Sequence, residues 1–193
     1  MTRPLTQADV LDRAAFAAVR PQREREILQI KAVRRLAVGP NMTWLFENRA
    51  TAWWQVQEMC RVEGIDAPDA IQHELDTYNA LVPNRAALST TLLIEVEDPA
   101  ERAVLLARLV GLHERVALRL GDTVSRAQFD AAQFEEERIS SVQFVRFPLD
   151  ETSLRALGDL SIPAALQIDH PAYPVRTPLP LALRAALIED LQA

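Results

Sequence analysis

The chain has little of several residue types, and each shortage removes a class of chemistry. Cys60 is the sole cysteine, so no intrachain disulfide forms and no thiol-based zinc site can be assembled within one chain. The five glycines form no glycine-rich loop, which excludes the usual nucleotide cradles, and no Gly-x-Ser-x-Gly elbow occurs. Lys31 is the only lysine; every other basic residue is arginine, a bias for which GC-rich coding is the simplest account. His73, His113 and His170 are scattered and fit neither His-x-x-x-His nor His-Glu-x-x-His spacing. No apolar run approaches the length of a membrane span. The opening Met1-Thr2-Arg3-Pro4 lacks the apolar stretch of a signal peptide, so a cytoplasmic location is expected.

What is present points to a globular protein. Apolar residues make up 49% of the chain, enough to bury a core without disulfide or metal staples. Acidic residues number 27 against 21 basic, a net charge of −6, which disfavours nucleic acid and acidic membrane as partners.

The first half, residues 1–86, reads as helical. Thr6-Gln7-Ala8-Asp9 has the form of a capping box opening a helix to about Val19, and Pro21 begins a second helix that runs to Val38 and stops at Gly39-Pro40. Asn41 to Glu47 alternates weakly as a strand. Asn48 caps a helix to Glu63, and Asp66 with Pro68 starts another ending near Leu81, so the two form a helical hairpin.

In residues 87–193 the period changes. Thr90–Val96, Arg115–Leu120, Ile139–Phe147 and Ala164–Ile168 read as strands. Helices open at Asp98-Pro99 and Asp150, a short one at Ser125, and a last one spans Leu181 to Leu191 after a proline-rich lead. The β-α-β-β-α-β order predicts an α+β fold: a helical layer packed on a ferredoxin-like antiparallel sheet, with a C-terminal helix.

The candidate site residues lie in the helical hairpin. They are Glu47, Asn48, Arg49, Trp54, Gln55, Glu58, Arg61, Glu74, Tyr78 and Asn79. Trp54, Glu58 and Arg61 fall on one helical face, as do Glu74 and Tyr78 on the next helix. If these faces meet, Glu58 and Glu74 could share a proton or a metal ion. The plainer reading pairs Glu58 with Arg61 at the surface. Neither glutamate is followed by the Glu-x-x-His spacing of carboxylate-bridged sites, so no cofactor is predicted and Glu58 and Glu74 are only weak metal candidates. Cys60 reads as a small buried hydrophobe, and the arginines from Arg20 to Arg35 as a self-paired solvated helix.

Gly39-Pro40 through Phe46-Glu47-Asn48-Arg49, then Gln55-x-Gln57-Glu58-Met59, Glu74-Leu75-x-x-Tyr78-Asn79 and Leu81-x-Pro83 resemble a bacterial family known as domain of unknown function 3501. The likeness continues through Thr90-Thr91, Ile94-Glu95, Gln143-Phe144-x-Arg146-Phe147 and Asp169-His170-Pro171. The resemblance implies an accessory role in bacterial redox or peroxide defence, with a rubrerythrin-like protein or an iron–sulfur oxidoreductase as partner. It also implies histidine in many relatives at the position of Gln143, which would leave this chain without that ligand. Two hypotheses follow. Either the hairpin docks a redox partner, or Glu58 and Glu74 line a pocket that binds or transforms a small molecule, with Arg49 or Arg61 holding an anion. Exposed strand edges would also permit a homodimer.

Overall fold

A computed structural model of the protein describes residues 3–84, 86–130 and 137–192. Its described elements are α1 (Arg13–Arg34), β1 (Arg35–Val38), β2 (Met42–Phe46), α2 (Arg49–Glu63), α3 (Pro68–Asn79), β3 (Ala87–Ile94), α4 (Pro99–Arg108), β4 (Val116–Leu120), β5 (Thr123–Arg126), β6 (Gln128–Phe129), β7 (Val142–Pro148), α5 (Glu151–Gly158), β8 (Ala164–His170), β9 (Tyr173–Pro178) and α6 (Leu181–Gln192). The fold is α+β with two antiparallel sheets, ordered β1-β2-β3-β7-β6 and β5-β4-β8-β9.

The single ferredoxin-like sheet expected from element order is therefore not the one formed. The β1–β2 hairpin supplies β3 with a partner along Met42–Phe46, and β7 takes its other edge. With both edges of β3 occupied, β4 pairs with β8 in a second sheet. The burial of β3 explains the layering: seven of its eight residues are buried, so both faces need cover. Leu88, Leu92 and Ile94 pack into one cluster with Trp44, Phe46 and Phe147 of the same sheet and Leu118, Leu166 and Ile168 of the other. The opposite face lies beneath the helices, where Phe144 packs with Val56, Leu75 and Tyr78. Because β2 pairs with β3, the regions 1–86 and 87–193 share one sheet.

Five local readings change. Thr6 and Asp9 do form a capping box, but around a 3-10 turn; Asp12 caps α1 by accepting from the Ala15 N–H at 2.8 Å. α1 then runs unbroken through Pro21, where two helices were expected. Arg35–Val38 is a strand and not a helical tail: Leu36 and Val38 are buried by alternation, a pattern that over two residues is too short to outweigh the helical run before it. Residues Thr123–Arg126 extend from β4 as a hairpin strand where a short helix was expected, and the proline-rich lead contains β9, an edge strand that tolerates Pro174 and Pro178.

The Gly39-Pro40 turn joins the two sheets. Gly39 has φ +67, and a Cβ there would sit 2.5 Å from the Tyr173 hydroxyl. That hydroxyl donates to Val38 O at 2.9 Å and accepts from the Asn41 N–H at 3.0 Å, so β9 is locked against the β1–β2 turn. Among the described residues, no helix is long and apolar enough to cross a membrane.

Candidate functional site

The chain leaves β2 and enters α2 within two residues, and Glu47 sits at that junction. Asn48 caps α2: its side chain accepts from the Thr51 N–H at 2.9 Å, while the Asn48 N–H donates to Thr51 Oγ1 at 2.9 Å. The carboxylate of Glu47 thus lies just before the positive end of a helix, where negative charge is favoured. The register pairs Leu45 with Thr91, and Thr91 Oγ1 donates to Glu47 Oε1 at 2.6 Å. Glu47 is only 1% exposed, and among the described residues no donor reaches Oε2. The hydroxyl of Ser89, two residues before Thr91 on the same strand face, is likewise buried and without a partner among them. Ser89 O accepts the Glu47 N–H at 2.8 Å.

Two further titratable groups feel this carboxylate. Burial pushes the half-buried Lys31 ammonium down; Glu47 opposes that shift, Arg35 adds to it and Glu58 opposes it. Burial pushes the Tyr78 phenol up, and the charges of Glu74 and then Glu47 push it further. Lys31 and Tyr78 thus lie within electrostatic reach of one enclosed carboxylate, to which Thr91 is hydrogen-bonded.

Of the remaining sequence candidates, Glu58, Trp54, Arg49 and Asn79 have structural partners. Glu58 accepts from Arg61 Nη2 on its own helix at 2.8 Å, as the plainer reading expected, and also turns toward α1, where Arg20 Nε donates to it at 2.7 Å. The Arg20 guanidinium lies 5.5 Å from the Trp54 ring centroid, and Trp54 meets Phe16 edge-on, so the set fastens α2 to α1. Arg49 donates to Asp9 Oδ1 at 2.7 Å and to Arg3 O at 3.1 Å. Asn79 accepts from the Leu5 N–H at 2.7 Å and donates to Leu5 O at 2.9 Å, pinning the N-terminal segment. Gln55 is half-buried. Glu74 is half-buried on α3, where its charge acts on Tyr78 and, after burial, on the Cys60 thiol, both pushed up.

Glu58 and Glu74 thus have no hydrogen-bond partner in common among the described residues. Nor do three or more His, Cys, Asp or Glu side chains among those residues form a group that could hold a metal ion. Gln143 is buried on β7, with Nε2 donating to Ser140 O at 2.8 Å. His170 ends β8: its Nδ1 accepts from the Ala172 N–H, which leaves Nε2 to donate to Val110 O at 3.0 Å.

Glu58 has a measurable pH signature. Burial alone would raise its pKa, but the hydrogen bonds from Arg20 and Arg61 outweigh it and bring the value from 4.5 down to about 2. A depressed carboxylate stabilises the fold above its unfolded pKa and loses that contribution as pH falls through the folded value. Glu58→Gln is therefore expected to destabilise the protein by about 2 kcal/mol near neutrality, after discounting for partial exposure. The difference should shrink as pH falls from 4.5 toward 2. Urea denaturation across that window checks it; a gap independent of pH would contradict the ion-pair account.

Sequence reasoning missed Lys31 and the strand hydroxyls as members of the site. The signals were there: a lone lysine in an arginine-only chain, and Ser89 and Thr91 inside the otherwise apolar run Ala87–Ile94.

The family profile described as "Protein of unknown function (DUF3501)" matches residues 4–191. A crystal structure described as a novel protein of unknown function from Burkholderia pseudomallei K96243 superposes with a TM-score of 0.91 at 36% identity, covering 98% of this chain and 100% of that one. No functionally curated protein matches the chain.

Proposed function

Since this chain belongs to the DUF3501 family, whose description assigns no activity, we propose from its own residues that it binds a small molecule rich in hydrogen-bond donors, such as an amine or polyol, at Glu47. The observation that carries this is Glu47 Oε2, an enclosed carboxylate oxygen without a donor among the described residues. Leaving such an atom unpaired costs about 1–3 kcal/mol or more, and a ligand N–H or O–H would remove that penalty. Thr91 fixes Oε1, so Oε2 is the oxygen left to accept, or to take a proton as a general base. Tyr78 and Lys31 supply a hydroxyl and an ammonium for the ligand's acceptors.

This reading keeps the small-molecule hypothesis but moves its centre from Glu58 to Glu47. The docking hypothesis, with a rubrerythrin-like or iron–sulfur partner, drew on aromatic density in the hairpin. Trp54 and Tyr78 are 7% and 9% exposed, so a docking partner would find few aromatics there.

Glu47→Gln is expected to raise the melting temperature by about 2–4 °C, because it removes a buried charge worth about 1 kcal/mol of destabilisation. The same variant should lose the thermal shift that amines or polyols induce in the wild-type protein. If Glu47→Gln melts lower and no compound distinguishes the two proteins, Glu47 is a structural residue and the proposal fails.

A further inference from the structure

A separate, partly open space lies beside α2, and Glu47 does not line it. It is a cavity of about 680 Å³ between the N-terminal segment with the start of α1 and the α2–α3 hairpin. This is within the range of roughly 300–1,000 Å³ typical of small-molecule sites. Its lining mixes apolar side chains, Val10, Phe16, Ile65 and Ile71 among them, with the charged Asp12, Arg13, Arg61 and Asp66, and α2 contributes Gln57 and Cys60 at i and i+3. Gln57 is 1% exposed, and its Nε2 has no acceptor among the described residues. An amide donor enclosed beside apolar side chains is an unmet requirement of known sign: it needs an acceptor.

The charges around the cavity decide what kind of acceptor. Arg13 is paired with Asp66 at 3.1 Å, Arg61 with Glu58 at 2.8 Å, and Asp12 is engaged in capping α1. Both arginines of the wall are thus paired and offer a carboxylate head group no free cation, while the one carboxylate without a cation, Asp12, is held in the helix cap; a charged head group buried beside Gln57 would be penalised. A neutral carbonyl satisfies Gln57 without that penalty, and an attached alkyl chain suits the apolar side chains of the lining.

We infer that this cavity binds a neutral carbonyl compound, an amide, ketone or ester with a short apolar chain, and that Gln57 Nε2 donates to its carbonyl oxygen. Hexanamide is the probe, with hexanoate and hexylamine as charged counterparts of equal chain length. In the full-length 15N-labelled protein, the Gln57 side-chain signals are identified by their loss in Gln57→Met. Hexanamide should shift them saturably, and should bind Gln57→Met about tenfold more weakly, the equivalent of one hydrogen bond. Hexanoate and hexylamine should bind at least about tenfold more weakly than hexanamide to the wild type. Glu47→Gln should leave hexanamide binding unchanged, which separates failure here from failure at Glu47. If Gln57→Met does not fold, Gln57→Glu supplies the test, because replacing the donor by an acceptor should transfer the preference to hexylamine. Signals that stay in place up to about 10 mM hexanamide, far above the affinity expected of a formed site, would overturn the inference. Equal affinity for wild type and Gln57→Met would overturn it too, as would a Gln57→Glu variant that still prefers hexanamide.

Discussion

Arg184→Ala is expected to lower the unfolding free energy by about 3–5 kcal/mol, the range seen when one partner of a buried charge network is removed. Arg184 lies on α6 and is 2% exposed. Its Nε donates to Leu157 O at 2.7 Å, and its terminal nitrogens donate to the carbonyls of Ala156, Asp159 and Ile162. These acceptors are the last carbonyls of α5 and those of the turn that follows, groups a helix cannot satisfy by itself. The guanidinium also sits at the negative end of the α5 dipole. Alanine would leave several enclosed carbonyls without a donor and a cavity beside them. Lysine should rescue little, since one ammonium cannot reach acceptors spread around a planar fork. Urea denaturation followed by tryptophan fluorescence measures the change. A loss below about 1 kcal/mol would mean that water reaches these carbonyls and that the clamp is not what closes this end of the fold.

Breaking the Arg34–Asp190 pair is expected to have a comparable effect, with a diagnostic reversal. The two side chains are 6% and 12% exposed and meet in a bidentate contact, 2.6 Å and 2.8 Å, across a sequence separation of 156 residues. Burial pushes the Asp190 carboxyl up; Arg34, first by hydrogen bonding and then by its charge, holds it down, but burial dominates. Mutual attraction thus does not fully offset the desolvation of the carboxylate. Either Arg34→Met or Asp190→Leu alone strands a charge and should cost about 3–5 kcal/mol, whereas the double variant should recover most of that. A double variant that stays as unstable as either single one would show that the pair stabilises the α1–α6 contact by more than its desolvation costs, and strictly additive losses would show no coupling between the two side chains.

Both positions show where sequence reading stops. Arg34 and Arg184 look, in sequence, like solvated arginines on amphipathic helices, the role assigned to the whole arginine-rich stretch. Arg20, Arg23 and Arg61 do behave so, in partly exposed pairs. Nothing local distinguishes these from Arg34, whose partner lies near the other end of the chain. The same holds at the site. Glu58 was the more suggestive glutamate because Trp54 and Arg61 share its helical face, yet Arg20 from another helix neutralises it. Glu47 carried no pattern beyond its place between a strand and a cap, and it is the one enclosed.

Sequence alone determined the α+β class, the Asn48 cap and α2–α3 hairpin, the four strands read at Thr90–Val96, Arg115–Leu120, Ile139–Phe147 and Ala164–Ile168, and family membership. These depend on caps, turns and periodicity, which act within a few residues. Only tertiary structure decided that the strands divide between two sheets, that Arg35–Val38 joins one of them, that Glu47 and Gln57 are enclosed, and that Arg20 joins Arg61 on Glu58. Strand pairing and burial depend on which distant segments compete for the same edge or face. Leu36 and Val38 share a face only in a strand, but an alternation of two residues is too short to outweigh the helical run before it until β2 lies beside them.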